Sequence, residues 1–270
     1  MRILFVGGGN MAGALIGGLV QQGFPVSELA VVDVSAEARA RLSAQHGVRT
    51  VADPGALDEI FEVVLLAVKP QQIAGVCKGL SGRFKGALVI SIAAGIRTAD
   101  LARWLGGHTR LARAMPNTPA LLRAGVSGLY AAPGASARDR DDAQRILGAV
   151  GSVIWFDNEG ALDAVTAVSG SGPAYVFYFI ESVEEAARSL GLDAAAARRL
   201  ALDTFLGAAK LAFEGEDPPA VLREKVTSKG GTTERALNSL DAARVKAHII
   251  AAVRAAADRA RELGNELGKT

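Results

Sequence analysis

Three groups of residues have the types and spacing that chemistry needs. Near the amino end, Gly7, Gly8, Gly9, Asn10, Met11 and Ala12 satisfy the pattern G-x-G-x-x-G/A. In such a turn Gly7 permits the sharp bend, Gly9 lets backbone N–H groups approach a pyrophosphate, and Ala12 lets a helix lie close to a strand. Near the carboxyl end, Gly230-Gly231-Thr232-Thr233 precedes a helical run over residues 234–240. Glycines at a helix start leave N–H groups open to an anion, and two threonine hydroxyls add donors, which suits a carboxylate. An ordinary cap, with Thr233 bonding its own helix, is the competing reading. Between these groups, Pro116-Asn117-Thr118-Pro119 is a stiff turn that either presents Asn117 to a ligand or merely connects two segments.

A pyrophosphate turn works only between a strand and a helix, and the flanking sequence supplies both. Residues 2–6 are a short apolar run, and residues 11–22 are helix formers closed by Gly23 and Pro25. Strand-like runs at 29–34, 61–68 and 87–93 alternate with helical stretches at 36–45 and 71–80. That alternation implies a parallel sheet covered on both faces. It continues weakly through strands at 111–114, 126–131 and 153–156 and a helix at 138–150. After Asp157 the texture changes to long Ala-rich helical segments at 161–190, 193–214 and 242–267. The expected fold is therefore α/β, a doubly wound, mostly parallel sheet over residues 1–156, followed by an all-α domain over 157–270. Alanine-packed helices with wide apolar faces imply a homodimer formed through that second domain.

Several residues then fall at the carboxyl edge of the sheet, where doubly wound folds bind ligands. Asp33 ends the second strand, where a carboxylate accepts bonds from ribose hydroxyls and repels a 2′-phosphate, favouring NADH over NADPH. Arg39 and Arg41 follow closely enough to reach a phosphate, and Asp33 has the alternative of capping the next helix. Ala67-Val68-Lys69-Pro70 leaves the strand at 61–68. Ser91-Ile92-Ala93-Ala94-Gly95 ends a strand in small residues that allow a flat ring to approach the backbone. Glu159 stands just before the first long helix, either near a cationic nitrogen or as a solvated carboxylate.

The totals exclude several classes. Thirty basic and 28 acidic residues in a chain of 270 leave a net charge of +2, too small to argue for nucleic acid or an anionic membrane. Residues 3–27 carry no charge, but the three glycines interrupt them, and the helix that follows is too short to cross a bilayer. Cys77 is alone, so no intrachain disulfide can form, and a cytoplasmic location is expected. His46, His108 and His248 are widely separated, and no Cys, His or carboxylate cluster suggests a metal. Ser169 and Ser171 do not meet G-x-S-x-G.

Read in order, the motifs resemble those of pyrroline-5-carboxylate reductases. They are Gly7-Gly8-Gly9-Asn10-Met11, Ala67-Val68-Lys69-Pro70, Ser91-Ile92-Ala93-Ala94-Gly95, Arg113-Ala114-Met115-Pro116-Asn117-Thr118-Pro119, Ser169-Gly170-Ser171-Gly172-Pro173-Ala174-Tyr175, and Val226-Thr227-Ser228-Lys229-Gly230-Gly231-Thr232-Thr233. The first is shared by many dehydrogenases, whereas the last three are far more specific. The resemblance implies a Rossmann domain followed by a helical dimerisation domain, assembled as a homodimer or a ring of dimers. It implies reduction of a small imine carboxylate, L-1-pyrroline-5-carboxylate, to L-proline with a hydride from NADPH or NADH, the last step of proline synthesis. Cofactor contacts would come from Gly7, Gly8, Gly9, Asn10, Met11, Ala67, Val68, Lys69, Pro70, Ala93, Ala94 and Gly95. The substrate carboxylate would meet Ser228, Gly231, Thr232 and Thr233.

Three departures stand out. Lys229 replaces a proline usual in the family, Asp53-Pro54 occupies a region where an asparagine commonly touches the ribose, and Asp33 is not what an NADPH-preferring member would present. The chemistry agrees with the resemblance. A protonated imine is already electrophilic, so neither a metal nor a strong acid is required, and Thr233 or water would supply a proton. A hydroxy-acid dehydrogenase is the nearest rival, but it needs a basic residue early in the helical domain, and residues 169–187 contain no Lys, Arg or His. A dinucleotide-sensing protein without turnover is the rival from another class. It leaves the Gly230-to-Thr233 corner without a purpose.

Overall fold

Runs such as ILFV and VVLL have no polar face, so they fold as strands covered on both sides. The computed structural model describes residues 1–269. In it the first strands are β1 (Ile3–Val6), β2 (Leu29–Val32), β3 (Arg49–Val51), β4 (Val63–Leu66) and β5 (Leu88–Ser91), and every residue of β1, β2, β4 and β5 is buried. With β6 (Leu111–Met115), β7 (Gly125–Ala131) and β8 (Gly151–Trp155) they form one sheet in the order β3-β2-β1-β4-β5-β6-β7-β8. The first six strands are mutually parallel, β7 runs antiparallel to β6, and β8 is parallel to β7. The order reverses between β1 and β4, and a crevice opens at such a switch point.

The period-2 alternation of the strands splits the core in two. Ile3, Phe5, Val31 and Leu65 face one cluster with Leu15 and Leu19 of α1 (Asn10–Gln21), Leu42 of α2 (Ala36–His46), and Ile146 of α5 (Ala137–Gly148). Leu4, Val6, Val64 and Leu66 face the other with Ile73 and Cys77 of α3 (Pro70–Leu80) and Leu101 and Trp104 of α4 (Thr98–Trp104). Gly13 and Gly17 of α1 let α2 approach closely. A Cβ at either would lie 3.3 Å from Leu42 or 3.0 Å from His46. No helix among the described residues is long and apolar enough to cross a membrane.

The chain divides into two compact units: Met1–Ser171 with the stretch from Ala256 onward, and Gly172–Ala255. The division falls later than Phe156 because α6 (Ala161–Val165) and a π-helical turn at Thr166–Gly170 pack on the sheet, where Val165 touches Gly128. The second unit holds α7 (Gly172–Ser189), α8 (Ala194–Glu214), α9 (Pro219–Lys225), α10 (Thr232–Ala242) and the first part of α11 (Val245–Leu267). Among its described residues only Ala197 and Ala201 are buried, whereas Phe177 is 65% exposed and Phe213 88%.

The sequence expectations differ from this fold at identifiable points. The helix expected over 161–190 is broken at the π turn, and the one expected over 242–267 starts only at Val245, after Arg244 adopts a left-handed φ of 54°. β3, α4 and α9 were not expected. They are short, at three, seven and seven residues, and polar enough to lack a periodic signal.

Candidate active site

The glycine turn has the geometry its sequence calls for. Gly7 has φ +102°, and a Cβ there would sit 2.6 Å from the Ala67 carbonyl oxygen, so no other residue fits between β1 and β4. Gly9 is the N-cap of α1, makes no side-chain cap, and would direct a Cβ into open space. The first N–H groups of α1 are thus left facing outward at the positive end of the helix dipole, a ready anion site. Asn10 and Gly9 are exposed and Met11 is half-buried, while Gly7 and Gly8 lie inside.

Asp33 sits where the sequence puts it, just past β2, but its carboxylate is engaged. Oδ2 accepts the Gly8 N–H at 2.5 Å and Oδ1 accepts the Ser35 N–H at 2.7 Å. The cap of α2 is instead Ser35, whose hydroxyl accepts from the Ala38 N–H. Arg39 donates to the carbonyls of Asp33 and Val34, and Arg41 donates to the Gly8 carbonyl at 2.7 Å. Both guanidiniums therefore bind the backbone around the turn. Beside it is a cleft of about 390 Å³ lined by Gly7, Val32, Asp33, Val34, Val68 and Gln72, with a largely apolar floor suited to a flat heterocycle. Asp53, in the region of the missing asparagine, bonds the Gly55 N–H at 2.6 Å within its own turn.

The other carboxyl-edge residues complete one rim. Ala67 and Val68 are half-buried, Lys69 is exposed at the N-cap of α3, and Pro70 opens that helix. Ala93 and Gly95 are buried and Ala94 is half-buried, with φ +77° at Gly95. This single unit therefore brings the glycine turn, Asp33, residues 67–70 and residues 93–95 to the same edge of the sheet.

Two expected residues are occupied otherwise. Asn117, 9% exposed, accepts the Val126 N–H on Oδ1 at 2.9 Å and donates from Nδ2 to the Ser169 carbonyl at 3.2 Å, so its amide braces the turn and does not project from it. Glu159 binds the Thr98 N–H and hydroxyl and pairs with Arg113 at 2.9 Å, so it is not a free surface carboxylate. Sequence reasoning missed this Arg113–Glu159–Thr98 network. An arginine inside an otherwise apolar strand was the available signal.

In the helical unit, Gly231 is the N-cap of α10 and provides no side-chain cap, with Thr232, Thr233 and Glu234 as the first three helical residues. Thr233 is thus inside the helix and is not its cap. Gly230, at φ +72°, donates its N–H to Glu234 at 2.7 Å, and the Gly231 N–H bonds the Ser228 carbonyl at 3.0 Å. A Cβ on Gly231 would lie 2.5 Å from Ser228 Oγ, so that hydroxyl sits against the same corner. Ser228, Lys229 and Thr232 are exposed and Thr233 is half-buried. The corner offers uncapped N–H groups and hydroxyls to a small anion.

Among the described residues, the remaining titratable groups form no reactive cluster. His108 bonds the Ala87 carbonyl, and burial, then Arg41, lowers the pKa of His46. Burial pushes the Cys77 thiol up to about 12, which leaves it inert. No group of three or more metal-ligating side chains occurs among the described residues.

Known proteins share this arrangement. A family model described as pyrroline-5-carboxylate reductase dimerisation matches residues 159–263, and one described as NADP oxidoreductase coenzyme F420-dependent matches residues 2–95. A pyrroline-5-carboxylate reductase of Pseudomonas aeruginosa is 46% identical over 99% of this chain and 98% of its own length. One from Pasteurella multocida is 43% identical over 97% of each. Among solved structures, the pyrroline-5-carboxylate reductase of Coxiella burnetii superposes with a TM-score of 0.90 at 42% identity, covering 97% of this chain and 98% of that one. The pyrroline carboxylate reductase of Plasmodium falciparum, solved with NADP bound, gives 0.87 at 26% identity, covering 98% of each. With a glycine turn at a sheet switch point, a glycine–threonine corner on a separate helical unit, and relatives alike from end to end, this chain belongs to the pyrroline-5-carboxylate reductase family.

Proposed function

We infer that the protein reduces L-1-pyrroline-5-carboxylate to L-proline, the last step of proline biosynthesis, as a homodimer acting in the cytoplasm. The observation that carries the substrate assignment is the start of α10, left without a side-chain cap at Gly231, where Thr232 and Thr233 have N–H and hydroxyl donors suited to one carboxylate. A reduced nicotinamide dinucleotide, NADPH or NADH, supplies the hydride. Gly7, Gly8, Gly9, Asn10 and Met11 would hold its pyrophosphate, Asp33 and the neighbouring cleft its adenosine, and residues 67–70 and 93–95 its nicotinamide half. Ser228, Gly231, Thr232 and Thr233 would grip the substrate carboxylate and fix the imine carbon for attack. Orientation of this kind supplies most of what such a reaction needs. The Thr233 hydroxyl is the candidate proton donor to the nitrogen.

The test is direct. Purified protein is mixed with NADH or NADPH and either the cyclic imine or 2- and 3-keto acids, and nicotinamide absorbance is followed. Consumption with the imine alone is expected. Consumption with the keto acids would point to a hydroxy-acid dehydrogenase, and none with any substrate would point to a dinucleotide sensor.

A further inference from the structure

Glu159 lies just ahead of α6, yet its carboxylate serves a helix 61 residues earlier. Oε1 accepts the Thr98 N–H at 2.7 Å and Oε2 accepts the Thr98 hydroxyl at 2.9 Å, at the first position of α4. Arg97, the local N-cap, makes no side-chain cap bond, so Glu159 does from a distance what a capping residue normally does in place. Its charge also suits the positive end of the helix dipole. Arg113 Nη1 balances that charge at 2.9 Å, from a side chain only 6% exposed. Arg113 stands in β6 opposite Ser91, the last residue of β5.

Between Ser91 and Thr98 runs the loop holding Ala93, Ala94 and Gly95. Its back is fixed by the end of α11. A Cβ on Gly264 would lie 2.8 Å from the Gly95 carbonyl, and Arg97 donates to Asn265 at 2.8 Å. Its exit is fixed by Glu159. The loop therefore has two anchors, and the one at its exit is a partly buried ion pair in which the Arg113 side chain is 6% exposed and that of Glu159 21%, so loss of the carboxylate leaves a buried guanidinium unpaired.

We propose that Glu159 is a positioning residue. Through Thr98, and held by Arg113, it sets the loop of Ala93, Ala94 and Gly95, and with it the approach of the nicotinamide ring to the imine, without touching the substrate. This rests on the imine-reductase reading above. Loss of the carboxylate frees the start of α4 and leaves the Arg113 charge unpaired beside the loop. The ring then binds but is poorly aimed, a fault that appears in the hydride step.

The test compares the full-length enzyme with Glu159→Ala, Glu159→Gln and Thr98→Val, using reduced dinucleotide with and without deuterium at C4, and counts dinucleotide-binding sites by fluorescence titration. For Glu159→Ala, kcat per binding site is expected to fall by roughly tenfold to a hundredfold, with a larger deuterium isotope effect on kcat. The KM for the imine should stay within about twofold of wild type. Glu159→Gln, which keeps an acceptor for Thr98, should recover part of the loss. Thr98→Val, which removes only the hydroxyl bond, should show the same isotope signature in weaker form even where Glu159→Ala folds poorly. An imine KM raised in Glu159→Ala with kcat unchanged would make Glu159 a substrate ligand and overturn the inference. Activity lost only in proportion to binding sites, with the isotope effect unchanged, would overturn it too. A wild-type enzyme inert toward the imine would instead bring down the reading on which the inference rests.

Discussion

Two glycines of one turn, two residues apart, should fail in opposite ways when replaced by alanine. At Gly7 the backbone has φ +102°, and an added Cβ would sit 2.6 Å from the Ala67 carbonyl oxygen and 2.8 Å from its carbon. A conformation disfavoured for an L-residue costs about 1–3 kcal/mol. Forcing apart two core strands costs about 1–3 kcal/mol more. Gly7→Ala should therefore lose about 2–6 kcal/mol of stability, a fall in Tm on the order of 10 °C at fixed protein concentration. At Gly9, φ is −69° and a Cβ would meet nothing within 4 Å. The weaker N-cap costs under about 1 kcal/mol, and the stiffer unfolded chain returns a similar amount, so Tm should barely move. The new methyl would nevertheless occupy the space in front of the α1 N-terminus, and dinucleotide affinity should fall by about 2–4 kcal/mol, roughly thirtyfold to a thousandfold. Thermal melts and titration of NADH fluorescence on both variants separate the effects. Equal loss of Tm in the two proteins, or full dinucleotide affinity in Gly9→Ala, would refute the placement of the pyrophosphate at Gly9.

Other expectations concern single side chains. Thr233→Val removes one donor from the α10 start at constant shape, and the imine KM should rise by about tenfold while the dinucleotide KM stays put; steady-state kinetics varying each substrate decide it. Because Asp33 lies by the turn and repels a 2′-phosphate, the wild type should prefer NADH, and Asp33→Asn should shift the kcat/KM ratio toward NADPH by about tenfold or more, an outcome refuted by an unchanged ratio. Asp139 is 1% exposed; burial opposes its ionisation, but Arg110 at 2.6 Å and the N–H and hydroxyl of Ser136 outweigh burial and hold the carboxyl below the usual range. A carboxyl whose pKa is depressed on folding stabilises above its unfolded pKa and loses that contribution as pH falls through the folded pKa. Asp139→Asn should thus cost about 2–3 kcal/mol at neutral pH, discounted because Arg110 is partly solvated, and the gap from wild type should close in acid. Urea denaturation at pH 7 and below pH 4 would show it, and a gap independent of pH would sink the assignment.

What the sequence made legible follows the range over which each signal acts. The strands β1, β2, β4 and β5 announce themselves because both faces are buried and no polar residue interrupts them. The edge strand β3 is Arg-Thr-Val, exposed or half-buried, and has no comparable mark. The pyrophosphate turn was readable because its parts are consecutive. The cap of α4 was not, because its capping carboxylate belongs to residue 159 and no local pattern links it to Thr98. Nothing in Thr166–Gly170 forbids a helix; the π turn, closed by the Ser171 N–H on the Thr166 carbonyl, lies where Gly170 meets Met115 of β6 and Asn117 donates to the Ser169 carbonyl, contacts no local pattern announces. The polarity of Asn117 and its flanking prolines suit either a ligand contact or a connector, and the backbone of Val126 and Ser169 claims both ends of its amide. A polar residue in a stiff turn is as well suited to bracing as to binding.

The helical unit carries one more consequence. Gly172–Ala255 buries only Ala197 and Ala201 among its described residues, while Phe177, Tyr178, Leu206, Leu211 and Phe213 stand exposed on α7 and α8. Two alanine side chains supply far too little buried apolar area to offset the entropy of ordering a unit of this length. The helical unit matches a dimerisation family, and a second copy seated on these faces would resolve the imbalance. Folding of the helical unit is then linked to association, and so is the presentation of Thr232 and Thr233 on α10. The sheet unit, with its two buried clusters, needs no such help. Dilution, or a charged substitution such as Leu206→Glu, should therefore abolish imine reduction together with much of the helical circular dichroism, while NADH still binds. Sedimentation and activity measured on the same samples test this. A monomer that keeps full activity per chain would show that the helical unit stands alone.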